Sequence, residues 1–219
     1  DATLKRIKPV AKVSEGASGA DLVVEAAPED LELKRRIFGE LAAAAPQTAI
    51  LATHTSSPPL TRIAEWHAAA ARTVGLHFFT PVPVMALLEI VTHAGTAPEV
   101  LAAARQAGER LGKTCIVVKD SPGFASSRLG IALGLEAMRM VEEGVASPQD
   151  IDAAMELGYR HPMGPLRLTD LVGLDVRLGI AEYLHRTLGR ETFKPPRILS
   201  DMVREGRLGK KSGRGFYEW

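Results

Sequence analysis

The chain of 219 residues contains no asparagine and a single cysteine, Cys115. One cysteine excludes an internal disulfide framework and is typical of a reducing compartment, so we expect a cytoplasmic protein. No apolar run approaches the ~18 residues of a membrane-spanning helix, and a net charge of +1 offers no basic surplus for nucleic acid. Because His67, His93, His161 and His185 share no metal-ligand spacing, we expect no metal site.

The first half of the chain alternates between short apolar runs and amphipathic segments. Runs rich in Val, Ile and Leu predict buried strands at 21–26, 49–52, 73–78, 87–91 and 115–118. Helical spacing predicts a helix after an N-cap at Asp30 and another over 98–111. Strands that alternate with helices favour an α/β fold with a doubly wound, mostly parallel sheet.

The alternation ends at Asp120-Ser121-Pro122-Gly123. Beyond this point the pattern predicts helices only, at 124–143, 147–157, 165–188 and 196–205. We therefore expect an α/β domain over 1–120 and an all-helical domain over 121–219. The apolar stretch from Leu129 to Met138 suits a helix at a domain or subunit interface.

One candidate catalytic pair comes from the predicted strands. His77 lies near the end of the third strand, and Glu89 follows twelve residues later in the fourth. Adjacent strands can bring two such side chains within hydrogen-bond reach, where the carboxylate orients the imidazole and favours its protonated form. That arrangement suits a general base, although a histidine on an apolar strand is also common as a hydrogen-bonded core residue. The hydroxyls of Thr55, Ser56 and Ser57 follow the second strand, at the ligand-binding edge of a parallel sheet.

The segment Gly75-Leu76-His77-Phe78-Phe79-Thr80-Pro81-Val82-Pro83 resembles the G-L-H-F-F-N-P-V-P segment of the 3-hydroxyacyl-CoA dehydrogenase family. Further segments resemble the family in the same order, at 23–26, 55–57, 88–91, 119–124, 162–165 and 209–217. The resemblance implies a Rossmann-type domain with NAD as cofactor, followed by a helical domain for substrate binding and dimerisation. It also implies an acyl-CoA substrate, interconversion of L-3-hydroxyacyl-CoA and 3-ketoacyl-CoA, and a homodimer.

The resemblance implies roles for individual residues. His77 corresponds to the catalytic histidine that removes the proton from the 3-hydroxyl group, and Glu89 to its carboxylate partner. Ser56 corresponds to a serine that contacts both cofactor and substrate, and Ser127 to a position that holds the substrate's oxygen. The other correspondences are to positions that contact the cofactor, namely Glu29, Lys34, Thr80 and Lys211.

The sequence also departs from the family. The family has asparagine where this chain has His54, Thr80 and Ser127. Chain-wide avoidance of asparagine is one explanation, and loss of catalysis in a binding or structural relative is another. A dehydrogenase of a hydroxy acid that is not a CoA ester is a third. No G-x-G-x-x-G turn for a cofactor pyrophosphate occurs in the sequence, so we expect a truncated cofactor domain that binds NADH weakly.

Restoring asparagine at positions 127 and 80 tests whether the protein is an active enzyme or an inactive relative of the family. If Ser127 and Thr80 keep the polar roles through their hydroxyls, Ser127→Asn changes kcat by at most about tenfold, because one neutral hydrogen bond contributes ~0.5–1.5 kcal/mol. The measurement is NADH oxidation with acetoacetyl-CoA by the whole protein. If the natural protein shows no turnover and the double change Ser127→Asn with Thr80→Asn restores it, the natural site has lost its catalytic activity.

Overall fold

The computed structural model describes residues 2–56 and 59–219. The chain divides into two compact units, the first ending at Phe124 and the second beginning at Ala125. The first unit contains a five-stranded sheet. Its strands are β1 (Leu22–Glu25), β2 (Ile50–Thr53), β3 (Thr73–Phe78), β4 (Leu87–Thr92) and β5 (Thr114–Lys119). Its helices are α1 (Val13–Ala17), α2 (Leu31–Ala44), α3 (Leu60–Ala64) and α4 (Pro98–Arg110). Short 3₁₀ turns lie at Leu4–Arg6 and Ala70–Arg72.

The strands lie side by side in chain order, from β1 to β5. The pairs β1–β2, β2–β3 and β4–β5 are parallel, whereas β3–β4 is antiparallel. Only residues 79–86 separate β3 from β4, and a parallel connection needs a dozen residues or more. The predicted α/β fold with a mostly parallel sheet is confirmed. The short connection explains the one antiparallel pair.

Alternation along β2 distributes apolar side chains to both faces of the sheet. Leu51 packs in a core cluster with Phe38 of α2, whereas its neighbours Ile50 and Ala52 pack in a second cluster with Val100 of α4. Successive strand residues point to opposite faces, so a strand buried on both sides must be apolar throughout.

Asp30 begins α2 as predicted, since its carboxylate accepts a hydrogen bond from the Leu33 N–H at 2.7 Å.

The second unit is helical. Its helices are α5 (Ser126–Glu142), α6 (Pro148–Tyr159), α7 (Pro165–Val172), α8 (Leu174–Leu188) and α9 (Arg197–Arg204), with 3₁₀ turns at Glu191–Phe193 and Lys210–Ser212. The single helix predicted over 165–188 is wrong, because Gly173 adopts φ 107° and separates α7 from α8. No helix in the described ranges is long and apolar enough to cross a membrane.

The core of the second unit takes up most of the apolar stretch in α5. Ile131, Leu135 and Met138 are buried against the other helices of the same unit, and Leu129 is exposed. These three side chains therefore belong to the core of their own unit, and an interface role for this helix stays a prediction. Asp170 of α7 holds the last residues of the chain in place, since its carboxylate accepts hydrogen bonds from the main-chain N–H groups of 216 and 217 and from the Trp219 indole.

Two helical glycines allow a matched test of packing against helix propensity. A Cβ at Gly108 of α4 would lie 2.4 Å from the Cys115 sulfur and 2.7 Å from Leu88, whereas a Cβ at Gly39 of α2 would meet nothing within 4 Å. Alanine gains ~1 kcal/mol of helix propensity over glycine, but overpacking costs ~1–3 kcal/mol. We expect Gly108→Ala to lower the urea midpoint of unfolding and Gly39→Ala to raise it. Equal shifts of the two midpoints would show that α4 can move away from the sheet.

Candidate active site

The antiparallel pairing of β3 and β4 places His77 directly opposite Glu89. The distance from His77 Nδ1 to Glu89 Oε2 is 2.7 Å. Glu89 is 0% exposed and His77 is 8% exposed. Paired residues on adjacent strands point to the same face of the sheet, so the register alone brings the two side chains together. The predicted contact between His77 and Glu89 is present.

The geometry of the pair specifies the hydrogen-bonding state of the imidazole. A carboxylate only accepts hydrogen bonds, so His77 Nδ1 must donate to Glu89. The neutral ring then carries its lone pair on Nε2. Within the described residues, the imidazole makes its one hydrogen bond through Nδ1. Nε2 is therefore left to take a proton, as a general base requires.

Aromatic rings surround the imidazole. The ring centroids of Phe79 and Phe124 lie 5.0 and 5.5 Å from that of His77, and the His54 ring stacks on it at 6.0 Å. Phe124 is buried and has φ 47°, a left-handed conformation that is strained for a bulky residue. These contacts restrict rotation of the imidazole and exclude water from its faces.

A second polar cluster lies where β1 and β2 end. Glu29 Oε1 accepts hydrogen bonds from the Ser56 N–H at 2.7 Å and the Ser56 hydroxyl at 3.0 Å. Its Oε2 accepts one from the Thr55 hydroxyl at 2.7 Å. Burial opposes ionisation of Glu29, but the Ser56 N–H, the Thr55 hydroxyl and the Lys34 charge outweigh it and hold the pKa of this carboxyl below its ordinary value. Glu29 is therefore an anion at neutral pH that fixes the Ser56 loop.

Beneath this cluster lies a buried ion pair. Lys34 of α2 is 0% exposed, and its Nζ lies 2.8 Å from Glu25 Oε1. The other Glu25 oxygen accepts a hydrogen bond from the Thr53 hydroxyl at 2.7 Å. Lys34 Nζ also lies 3.5 Å from Glu29 Oε2, so one ammonium group stands between two carboxylates. Because β1 and β2 are parallel and pair Glu25 with Thr53, both strands deliver polar groups to the same edge of the sheet.

Comparison with known proteins identifies the family. Residues 1–121 match the sequence model of the 3-hydroxyacyl-CoA dehydrogenase NAD-binding domain, and residues 123–219 match that of the C-terminal domain. The chain belongs to the 3-hydroxyacyl-CoA dehydrogenase family.

Relatives within this dehydrogenase family are similar along nearly the whole chain. A probable 3-hydroxybutyryl-CoA dehydrogenase of Bacillus subtilis is 43% identical over 210 residues, which cover 96% of this chain and 73% of the relative. A 3-hydroxyadipyl-CoA dehydrogenase of Escherichia coli is 42% identical over 218 residues, covering 99% of this chain and 46% of the relative. The solved (S)-3-hydroxybutyryl-CoA dehydrogenase of Ralstonia eutropha superposes with a TM-score of 0.93 at 38% identity, covering all of this chain and 77% of that one.

The remaining candidate residues of the dehydrogenase are Thr80 in the first unit and Ser127 and Lys211 in the second. Thr80 is exposed in the loop after β3. Ser127 lies half-buried in the first turn of α5, in the second unit. Lys211, also in the second unit, pairs with Asp175 at 2.6 Å, and the hydrogen bond from Lys211 holds the pKa of Asp175 below its ordinary value. Ser57 falls outside the described residues.

His54, at a position where the resemblance implies an asparagine in the family, contacts the main chain of β3. Its Nδ1 lies 3.2 Å from both the Leu76 carbonyl oxygen and the Phe78 nitrogen. An asparagine amide can donate to one and accept from the other at the same time, whereas a single imidazole nitrogen does only one of these. The ring therefore satisfies one of these two polar groups of β3 in each tautomer.

Sequence patterns alone did not identify Glu25 and Thr53 as residues of the polar cluster. They also did not predict that Lys34 is buried. A signal was present, because Lys34 precedes Phe38 by four residues and Leu41 by seven, which places it on the apolar stripe of α2. A lysine on such a stripe requires a buried counter-charge. Glu25, at the end of an apolar strand, supplies it.

Proposed function

We propose that the protein interconverts an L-3-hydroxyacyl-CoA and the corresponding 3-ketoacyl-CoA with NAD(H). The observation that carries this proposal is the buried His77–Glu89 pair, with Nδ1 and Oε2 2.7 Å apart at the edge of the sheet where β3 ends. In α/β sheets, ligands bind outside the carboxyl ends of the strands. Relatives about 40% identical over most of the chain carry the names of such dehydrogenases.

The pair handles the proton of the reaction. In the oxidative direction His77 Nε2 takes the proton from the 3-hydroxyl oxygen, and the imidazole becomes positively charged. Glu89, which is fully buried, stabilises that charge through the Nδ1–H hydrogen bond. In the reductive direction the same nitrogen returns the proton to the oxygen. The ring moves only one proton and keeps its orientation throughout.

The polar edge of the first unit fits the nicotinamide end of the cofactor. Ser56 and Thr80 are exposed and offer hydroxyl groups, and Glu29 keeps Ser56 in place. When bound, NAD supplies the hydride acceptor, while the protein positions the two reacting carbons. We assign to the cofactor side of the site the residues Glu29, Lys34, Ser56, Thr80 and Lys211.

Ser127 is our candidate for holding the substrate's oxygen from the helical unit. Its hydroxyl keeps a donor on a shorter side chain than asparagine, so contact through a water molecule fits its reach. A dehydrogenase of a hydroxy acid that is not a CoA ester would use the same histidine pair. Comparison of turnover on acetoacetyl-CoA and free acetoacetate separates these two substrate classes.

His77→Ala tests the proposed base. In the whole protein we expect this change to lower kcat for acetoacetyl-CoA reduction by ~10²–10⁴-fold, the usual contribution of a general acid–base group. Glu89→Gln keeps a hydrogen bond but removes the charge that stabilises the imidazolium, so kcat should also fall, by a smaller factor. The measurement is steady-state NADH oxidation across pH, with circular dichroism to confirm the fold.

His161→Ala is the matched control, since it removes an imidazole from the other unit of the same chain. It should retain the kcat of the natural protein. A His77→Ala protein that turns over at the natural rate would contradict the assignment of the base.

We further propose that the protein forms a homodimer through its helical unit. Support comes from the exposed apolar side chains of α7 and α8, which are Leu168, Leu171, Val172 and Val176. Exposed apolar side chains are costly in water, and their clustering is typical of homodimer interfaces. Sedimentation velocity should show a dimer that Leu171→Glu dissociates. Leu111→Glu, an exposed leucine of the first unit, should leave the dimer intact, and a monomeric natural protein would refute the proposal.

A further inference from the structure

We infer that Lys113 is a positioning residue of the site, because its ammonium group holds the loop between β3 and β4 and, through that loop, the hydroxyl of Thr80. The β3–β4 loop, residues 79–86, joins the strand of His77 to the strand of Glu89. The inference rests on the proposed function, in which Thr80 lies on the cofactor side of the site. Lys113 itself takes no part in the chemistry.

Burial does not hold most of the β3–β4 loop. Its first residue, Phe79, is half-buried, and its ring centroid lies 5.0 Å from that of His77. All seven residues from 80 to 86 are exposed. A segment without buried side chains gains little from the hydrophobic effect. Polar contacts therefore set the conformation of this loop.

Within the loop, two prolines restrict those polar contacts. Pro81 and Pro83 have no N–H to donate. The N–H groups of Val84 and Met85 both donate to the Pro81 carbonyl oxygen at 3.0 Å and form a single turn. One carbonyl oxygen thus organises the turn from inside, and the rest of its support has to come from outside the loop.

Lys113 provides support from outside the loop. Its Nζ donates to the Val82 carbonyl oxygen and, at 2.8 Å, to the Met85 carbonyl oxygen. An ammonium group carries three donors and no acceptor, so one side chain holds the turn at two points three residues apart. Hydrogen bonds from a charged donor are stronger than neutral ones. Both partners are uncharged, so replacing Lys113 leaves no carboxylate of this contact unpaired.

The fold fixes the main chain of Lys113 beside the loop. Helix α4 ends before Gly112, which has φ 72°, and the Lys113 N–H donates to the Gly108 carbonyl oxygen at 3.0 Å. Strand β5 then runs parallel to β4, with Thr114 paired to Leu87. Residue 113 therefore lies next to the last residue of the loop. Its side chain joins the exposed loop to the packed part of the unit.

Removing Lys113 should affect the two ends of the loop differently. At the β4 end, the Ala86 carbonyl oxygen still accepts the Thr114 N–H at 2.8 Å. At the β3 end, the Val82 carbonyl oxygen loses its contact with Lys113 two residues after Thr80. We therefore expect Thr80 to move while the start of β4 stays in place.

Lys113→Met in the whole protein tests the inference through the split between KM and kcat. KM for NADH should rise about 3- to 10-fold, because a misplaced Thr80 hydroxyl loses about one neutral hydrogen bond. The kcat for acetoacetyl-CoA reduction should stay within about twofold, because ground-state binding alone is lost. His77 and Glu89 lie on paired strands, and their contact does not depend on the loop. A merely structural role would instead lower the active fraction, and thus kcat, at unchanged KM.

A double-mutant cycle identifies Thr80 as the group that Lys113 positions. In a Thr80→Ala background, Lys113→Met should change KM by less than about twofold, because the effects of coupled residues are not additive. Lys113→Arg keeps a charged donor and should keep the natural KM. Lys194→Met is the matched control, since it removes an exposed lysine that pairs with Glu191 in the second unit. An unchanged KM in Lys113→Met, or an equal rise in both backgrounds, would overturn the proposal.

Amide hydrogen exchange gives a second readout that does not depend on activity. The N–H groups of Val84 and Met85 lie in the turn that Lys113 holds, so Lys113→Met should speed the exchange of both. The Ala97 N–H, which donates to the Ala71 carbonyl oxygen at 2.8 Å outside the loop, should exchange at its natural rate. Natural exchange rates at Val84 and Met85 would show that Lys113 does not hold the loop.

These readouts separate failure of the inference from failure of the proposed function. A natural protein without turnover on acetoacetyl-CoA refutes the proposed function. Exchange at Val84 and Met85 then decides whether Lys113 holds the loop. Calorimetric titration of NADH into the natural protein and into Lys113→Met decides whether the loop contributes to cofactor binding. Equal dissociation constants in the two proteins would refute the positioning role.

Discussion

The register between β3 and β4 is the constraint on which the rest of the site depends. It pairs His77 with Glu89 and Gly75 with Val91. A shift of one residue along either strand would turn His77 and Glu89 to opposite faces of the sheet. Gly75 permits the close pairing, since a Cβ there would lie 2.8 Å from the Cβ of Val91. Both residues of the His77–Glu89 pair therefore lie on strands, whereas the rings that surround His77 belong to loop residues.

Some of this arrangement could be predicted from the sequence because it depends on local periodicity. The five strands, the cap at Asp30 and the contact between His77 and Glu89 follow from apolar runs and from a spacing of twelve residues. The break at Gly173 was missed, because one glycine in a helical pattern is compatible with a continuous helix until its φ of 107° is known. The sequence pattern of α5 also does not distinguish apolar residues that face the core of their own unit from apolar residues that face a partner.

The polar part of the site was harder to predict because its partners are far apart in the chain. Glu25 and Thr53 are 28 residues apart, and Thr55 and Glu29 are 26 apart. Their contacts exist because β1 and β2 are parallel neighbours, a fact of topology that neither local sequence contains. Resemblance to a family identified Glu29, Lys34 and Ser56 as a set. It did not reveal that Lys34 is buried and paired with Glu25.

The buried Lys34–Glu25 pair has a consequence for the temperature range of the site. Removing two charges from water is costly at 25 °C, but the hydration of ions becomes less favourable as temperature rises, so the penalty for burying them falls. The attraction between Nζ and Oε1 at 2.8 Å is shielded from solvent and does not weaken in the same way. Heating therefore strengthens the net contribution of this pair relative to the apolar contacts around it. The same chain has no asparagine to deamidate in its loops, which removes one route of chemical damage at high temperature.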